Sequence, residues 1–249
     1  MTAVFIHGVP ETGQVWDRLR ARLSTDSTAL DLPGFGVPRP AGFGATMDEY
    51  RWLERELREI DGPVDLVGHD WGAVLVAGVA TNSSVPVRSW AIDVAGALHP
   101  DYVWHDLARF WRTPGAGEQW AKAVVEASPE SPESPAAGLA EAGVPAEDAT
   151  AMGEKLDATM ADSILDLYRS ATPNPHAYWE AGLSTPSALG SVIQALLDPY
   201  DDLAASDEMA ARLEARTQRL EGIGHWWMLE DPDSAAAALE RFWTAVGEG

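Results

Sequence analysis

The stretch VGHDWGA, at residues 67–73, constrains the fold of this chain more than any other part of the sequence. Gly68 and Gly72 lie two residues on either side of Asp70, directly after a short apolar run. Small residues at this spacing permit a sharp turn from a strand into a helix, which exposes the central side chain above a sheet. A carboxylate there is ionised at neutral pH and can attack carbon directly to form an ester. The alternative interpretation is that Asp70 only caps the following helix.

Short apolar runs alternate with helical patterns in the first hundred residues. Such alternation is typical of a parallel sheet with helices on both faces, in which sites gather at the carboxyl ends of the strands. The pattern predicts an α/β fold with a mostly parallel sheet of about six strands. The predicted strands are residues 3–6, 29–32, 64–67, 88–95, 191–197 and 217–220, and the predicted core helices are 15–23, 47–60, 71–80 and 235–246.

The alternation stops after the fourth predicted strand and resumes about ninety residues later. We interpret residues 97–186 as a helical lid inserted into a core formed by residues 1–96 and 187–249. Within this insertion, the acidic Pro/Ser/Ala stretch at residues 126–149 is expected to be loosely ordered. Apolar residues at helical spacing predict one long helix over residues 147–171.

Charge and composition limit the partners and the location of the protein. The formal net charge of -22 disfavours binding to nucleic acid or to an anionic membrane surface, because both would be repelled. The chain has no cysteine, and its beginning has neither a basic segment nor a long apolar run. We therefore expect no signal peptide, no membrane span and a cytoplasmic location. The oligomeric state is left open.

An ester on Asp70 needs a base that activates water, and His225 is the candidate among the six histidines. It follows a Gly-Ile-Gly turn after the last predicted strand, which agrees with the order nucleophile, acid, base. The acid is expected after the preceding strand, where a short loop favours Asp201, with Asp202 next. Asp93, at the end of the fourth strand, is a further alternative. Asp198 is expected to be a solvated loop carboxylate.

Charge that develops on the ester oxygen requires hydrogen-bond donors. The backbone N–H of Trp71, one residue beyond Asp70, and that of Val9, in the loop after the first strand, would together form an oxyanion hole. The alternative for the loop HGVP, at residues 7–10, is a plain turn.

Four motifs, HGVPET, DLPGFG, VGHDWGA and GIGHWW, resemble in order and spacing those of the α/β-hydrolase superfamily. The aspartate in the turn is similar to that of its epoxide hydrolases and haloalkane dehalogenases. The resemblance covers residues 1–97 and 187–249, and it implies that the insertion is the lid of the family. The chain opens directly on the strand before HGVP, without the strand pair that most members have there, so about six strands are expected instead of eight.

The resemblance implies that lid tyrosines protonate the opening epoxide in epoxide hydrolases. Tyr168 matches one such tyrosine. No tyrosine occurs where the other is expected, near Leu107, and Tyr102, Tyr178 or His105 are possible substitutes.

A dehalogenase would instead hold the leaving halide with two N–H donors. Trp71 would supply one, and Trp104, Trp111 or Trp179 the second. Tryptophans dominate the expected substrate pocket, which favours an apolar or aromatic substrate. The candidate pocket residues are Trp71, Trp104, Trp111, Trp179, Tyr178 and Trp226.

The sequence thus predicts a cofactor-free and metal-free hydrolase that opens an epoxide to a vicinal diol. The first alternative is a haloalkane dehalogenase with the same three groups. The second is a binding module that has kept the fold without the activity.

Overall fold

The computed structural model describes residues 2–177 and 182–247, and in them six parallel strands form one sheet in the order β2-β1-β3-β4-β5-β6. The prediction of a mostly parallel sheet of about six strands is confirmed. The strands are β1 (Thr2–Ile6), β2 (Ser27–Leu30), β3 (Val64–Gly68), β4 (Val87–Ile92), β5 (Leu189–Ala195) and β6 (Arg216–Leu220). The helices are α1 (Asp17–Arg20), α2 (Thr46–Arg58), α3 (Trp71–Asn82), α4 (Asp106–Arg112), α5 (Ala116–Glu126), α6 (Pro135–Glu141), α7 (Ala146–Gly153), α8 (Ala158–Ser170), α9 (Leu203–Arg212), α10 (Trp227–Glu230) and α11 (Pro232–Gly247).

Strand β1 is buried on both faces, which explains why it appears in the sequence as an apolar run without polar alternation. In β1, Val4 and Ile6 pack into the apolar core on one face, whereas Ala3 and Phe5 pack into the core on the other. The first core also contains most of α3, whose buried side chains surround the helix. No helix in the described part of the chain is long and apolar enough to cross a membrane.

The register of the sheet brings distant loops to one edge. Ile6 pairs with Gly68, and Gly68 pairs with Ile92, so the loops after β1, β3 and β4 leave the sheet side by side. Ala195 pairs with Leu220, which places the loops after β5 and β6 next to each other at the same edge. This carboxyl edge carries every candidate catalytic residue of the core.

Helices α4 to α8 all lie between β4 and β5, at the predicted position of the insertion. The structure corrects two details. The stretch at residues 126–149 is not loosely ordered throughout, because it contains α6 and the start of α7. The single helix expected over residues 147–171 is two helices, and Asp157 caps the second by accepting a hydrogen bond from the Met160 N–H at 2.8 Å. That the insertion acts as a lid remains a prediction.

Candidate active site

Asp70 occupies a strained turn between β3 and α3. Its φ of 51° and ψ of -116° lie where side chains other than glycine are rarely found, a conformation that costs about 1–3 kcal/mol. A Cβ on Gly72 would lie 2.2 Å from the carbonyl oxygen of Ile6, so only glycine allows α3 to approach β1 this closely. Asp70 makes no side-chain capping bond to α3. The interpretation of Asp70 as a mere helix cap is therefore wrong.

The loop after β1 packs directly against the carboxylate of Asp70. The Val9 N–H donates a hydrogen bond to Asp70 Oδ1 at 3.0 Å. A Cβ on Gly8 would lie 2.5 Å from the Asp70 Cβ, so glycine is required at this approach. One carboxylate oxygen is thus held by a backbone donor, and Oδ2 receives no hydrogen bond from residues 2–177 and 182–247. Trp71, whose backbone N–H is the other expected donor, is the first residue of α3 and directly follows Asp70.

His225 and Asp198 form a buried pair. His225 Nδ1 lies 2.8 Å from Asp198 Oδ2, and the Tyr200 N–H donates to Asp198 Oδ1 at 2.7 Å. Because Nδ1–H donates to the carboxylate, Nε2 of a neutral His225 is an acceptor, as a general base requires. Burial raises the pKa of Asp198, but the charge and hydrogen bond of His225 prevail and lower it.

The structure corrects the choice of partner for His225. Asp201 Oδ1 accepts a hydrogen bond from the Gly96 N–H at 3.1 Å, and burial raises the pKa of Asp201 to about 7. Asp202 caps α9 by accepting hydrogen bonds from two backbone N–H groups. The prediction failed because β5 ends at Ala195 and not at residue 197, which moves the short loop two residues earlier and places Asp198 against His225.

Asp93, the third alternative, belongs to a separate buried network beneath Asp70. Asp93 Oδ1 accepts a hydrogen bond from the Asp70 N–H at 2.9 Å, and Oδ2 contacts Trp227 Nε1 and His69 Nδ1. On the other side of the ring, His69 Nε2 lies 3.1 Å from Glu11 Oε1. Both ring nitrogens of His69 therefore face carboxylates, and both donate only when the imidazole is protonated.

The charges of this network follow from its contacts. Burial lowers the pKa of His69, but the adjacent carboxylates of Asp93 and Glu11 prevail and hold it well above its ordinary value. Burial raises the pKa of Glu11, and the charge of His69 outweighs this and lowers it to about 2. The ring centroids of His69 and His225 are 4.5 Å apart, so a positive charge lies next to the candidate base.

Asp70 and His225 also shift each other's pKa. Burial raises the pKa of Asp70 to about 6, although the positive charges of His225 and His69 oppose the rise. Burial lowers the pKa of His225, but the negative charges of Asp198 and Asp70 outweigh it and raise the pKa above its ordinary value.

A cavity of about 300 Å³ opens above Asp70 and His225, and Tyr168 forms part of its wall. Trp111 and Trp226, two of the predicted pocket residues, also line it. Trp71 and Trp104 line a small adjoining cavity of about 20 Å³. Tyr178 and Trp179 lie outside the described residues. The remaining wall is mainly apolar and includes Leu107, Trp120, Val124, Leu139 and Leu156.

Tyr168, on α8, is buried with its ring centroid 5.2 Å from that of Trp71. Burial and the negative charge of Asp70 raise its pKa well above 10, so the hydroxyl is protonated at neutral pH. Two residues that sequence reasoning left out or could not place also face this region. Tyr200 lines the main cavity against His225, with ring centroids 4.9 Å apart, and Tyr102 lines the small cavity.

Comparison with known proteins agrees with this architecture. Three solved structures illustrate the likeness. The haloalkane dehalogenase DbeA from Bradyrhizobium elkani USDA94 has a TM-score of 0.75 and 19% sequence identity, and the match covers 99% of this chain and 91% of that one. The loop variant DbeA-M1 of the haloalkane dehalogenase from Bradyrhizobium elkanii has a TM-score of 0.74 and 19% identity, over 99% of this chain and 90% of that one. A membrane phospholipase A described as a bacterial virulence factor has a TM-score of 0.73 and 21% identity, over 100% of this chain and 80% of that one. At these identities the likeness shows the fold alone.

No curated protein sequence matches the chain. The sequence profile of the alpha/beta hydrolase family matches residues 3–238 of the 249 in the chain. The chain therefore belongs to the alpha/beta hydrolase family.

Proposed function

We propose that this hydrolase opens epoxides to vicinal diols through a covalent ester on Asp70. One observation carries the proposal, namely that Asp70, His225 and Tyr168 face a single cavity. A carboxylate nucleophile, a general base and a protonated phenol are the three groups that epoxide opening and ester hydrolysis require.

In the first step, Asp70 Oδ2 attacks an epoxide carbon, and the carbon–oxygen bond of the ring breaks. Tyr168 transfers its proton to the departing oxygen, which becomes the first hydroxyl of the product. The high pKa of Tyr168 keeps that proton available until charge develops on the epoxide oxygen. Asp70 is then an ester, with its carbonyl oxygen beside the Val9 N–H.

In the second step, His225 Nε2 takes a proton from water, and the hydroxide adds to the ester carbonyl carbon. The N–H groups of Val9 and Trp71 are the proposed donors to the negative oxygen. When the carbon–oxygen bond to the product breaks, the proton of the added hydroxyl goes to the product alcohol, and Asp70 is again a carboxylate. The proton on His225 returns through solvent to the phenolate of Tyr168, so the net reaction is the epoxide plus one water.

The cavity wall favours an uncharged, apolar or aromatic substrate. Its lining is dominated by tryptophan and aliphatic side chains and contains no lysine or arginine among the described residues. An anionic substituent would therefore meet no counter-charge there, and Asp70 and the exposed Glu133 would repel it.

A haloalkane dehalogenase is the second candidate, and a specific observation favours it. Trp111 Nε1 is buried without a hydrogen-bond partner in the described structure, so this N–H is available to a halide. Trp104, by contrast, donates its N–H to the Pro173 carbonyl oxygen at 3.1 Å and is already used. Two of the structural neighbours are named as haloalkane dehalogenases.

Two substrates separate these candidates. The protein is incubated with styrene oxide and, separately, with 1-bromobutane, and diol and bromide are measured. Diol formation that is lost in Asp70→Asn supports the proposal. Bromide without diol would establish the dehalogenase instead, and neither product with any member of an epoxide and haloalkane panel would favour the binding module.

A further inference from the structure

We propose that His105 is the second hydrogen-bond donor to the epoxide oxygen and acts beside Tyr168 through its Nε2–H. This inference rests on the proposed function and assigns a residue to the role that the sequence left open. Two observations support it. The helix cap formed by His105 determines which ring nitrogen carries the proton, and the ring lines the cavity.

The cap at the start of α4 determines which ring nitrogen carries the proton. His105 is the residue before α4, and its Nδ1 accepts a hydrogen bond from the Ala108 N–H at 3.2 Å. A ring nitrogen that accepts a hydrogen bond cannot itself be protonated. The single proton of the neutral ring is therefore on Nε2, at the opposite edge of the ring.

The surroundings of His105 keep the ring neutral. Burial and the positive charge of His225 lower its pKa to about 4, which the opposing charge of Asp106 does not reverse. Protonation would also destroy the acceptor that caps α4. His105 thus keeps the same tautomer over the pH range in which Asp70 is ionised.

The ring of His105 shares the main cavity with the proposed nucleophile and the proposed proton donor. His105 lines the main cavity together with Asp70 and Tyr168, and its ring centroid is 6.4 Å from that of Tyr168. In residues 2–177 and 182–247, no hydrogen bond from His105 Nε2 to a protein acceptor is present, so the donor is unused. Tyr102 lines only the small adjoining cavity, whereas the ring of Tyr200 lies against both His225 and His105, with centroid distances of 4.9 and 5.2 Å.

The chemistry assigned to His105 is hydrogen bonding without proton transfer. Negative charge builds on the epoxide oxygen as the ring opens, and a fixed N–H stabilises it more in the transition state than in the ground state. Tyr168 supplies the proton. Since ester hydrolysis develops its charge on the carbonyl oxygen at Val9, loss of His105 should slow only the first step.

Two substitutions separate this role from the structural role of the cap. In His105→Ser, the hydroxyl still caps α4, because serine is a preferred N-cap residue, but nothing reaches into the cavity. His105→Asn retains an acceptor for the cap and adds amide N–H donors. Single turnovers of wild type and both variants with styrene oxide are quenched in acid, and the rise and decay of the covalent ester are followed by intact-protein mass.

Removal of one such donor typically costs about 10²–10³ in rate, so we expect ester formation in His105→Ser to slow by about that factor. The rate of ester decay should stay within about threefold of that of wild type. His105→Asn should form the ester at least about tenfold faster than His105→Ser. Unchanged ester formation in His105→Ser, or an equal loss in both steps, would overturn the assignment while leaving the proposed function intact. If the wild type forms no ester with any epoxide, the proposed function itself fails, and the role of His105 with it.

Discussion

At the scale of single residues, the proposed chemistry depends on the orientation of one imidazole. Asp198 accepts the Nδ1–H of His225 and leaves Nε2 as an acceptor, which the proposed base requires, and the backbone N–H of Tyr200 holds the carboxylate in place. The two carboxylates that follow in the sequence have other partners. Asp201 accepts a hydrogen bond from the Gly96 N–H, and Asp202 caps α9.

Asp198→Asn should therefore be far more damaging than Asp201→Asn. An amide at position 198 cannot stabilise the imidazolium and favours the wrong tautomer, a change that costs about 10⁴ in kcat in a comparable triad. Asp201→Asn should keep kcat within about tenfold, because it retains an acceptor for Gly96. Steady-state diol formation by the two variants measures this, and equal losses would contradict the pairing.

The pKa of Asp70 sets the acid side of the pH profile. As the proposed nucleophile, Asp70 must be ionised. Burial raises its pKa to about 6, so ester formation should be constant at higher pH and fall about tenfold per pH unit below 6. Ester decay requires neutral His225, whose pKa in the ester lacks the raising effect of the Asp70 charge. Single turnovers from pH 4.5 to 9 test this, and full ester formation down to pH 4.5 would be inconsistent with a buried nucleophile.

At the scale of secondary-structure elements, Asp202 has a structural role. Its side chain accepts hydrogen bonds from the Ala204 and Ala205 N–H groups at 3.0 and 3.2 Å and begins α9. Asp202→Ala should lower the free energy of unfolding by about 1 kcal/mol, the usual cost of losing such a cap. Urea denaturation gives that value, and Asp202→Ser, which keeps a cap, is the matched control. Loss of diol formation in Asp202→Ala without loss of stability would instead point to a catalytic role.

Features that are determined by residues close together in the sequence could be predicted, whereas features that depend on contacts between distant strands could not. The turn at Asp70 and the position of His225 after the last strand follow from adjacent glycines and strands, and the structure shows both. The end of β5 depends on its pairing with β6, where Ala195 meets Leu220, and the sequence therefore predicts Asp201 as the partner of His225, three residues beyond Asp198, which has that position in the structure. A local signal for α6 does exist, because Ser134 followed by Pro135 is a common start of a helix.

At the scale of the whole molecule, three loops are joined by the buried network of Glu11, His69 and Asp93. These residues follow β1, β3 and β4, so they meet only in the folded sheet. No local sequence pattern predicts their contact. The side chains of Trp226 and Trp227 donate to Glu11 and Asp93, which ties the segment after His225 to the same network. The network thus ties the turn that carries Asp70 to the segment that follows His225.

Glu11→Gln should lower the free energy of unfolding at pH 7 by about 3–5 kcal/mol, the usual cost of removing one partner from a buried ion pair. Because the pKa of Glu11 falls from 4.5 to about 2 on folding, its contribution is fully present above pH 4.5 and is lost as the pH falls toward 2. The difference from wild type should therefore shrink over that range. Glu147→Gln, which removes only an exposed pair with Arg18, is the control and should cost less than about 1 kcal/mol. A pH-independent difference would contradict a charged Glu11.

The covalent ester on Asp70 is tested most directly by trapping it. His225→Gln removes the base, so ester formation should continue while hydrolysis stops. After incubation with styrene oxide, we expect the intact mass of His225→Gln to increase by one epoxide and peptide mapping to place the addition on Asp70. Absence of the adduct with every epoxide tried, or its persistence in the double variant Asp70→Asn, His225→Gln, would contradict the mechanism.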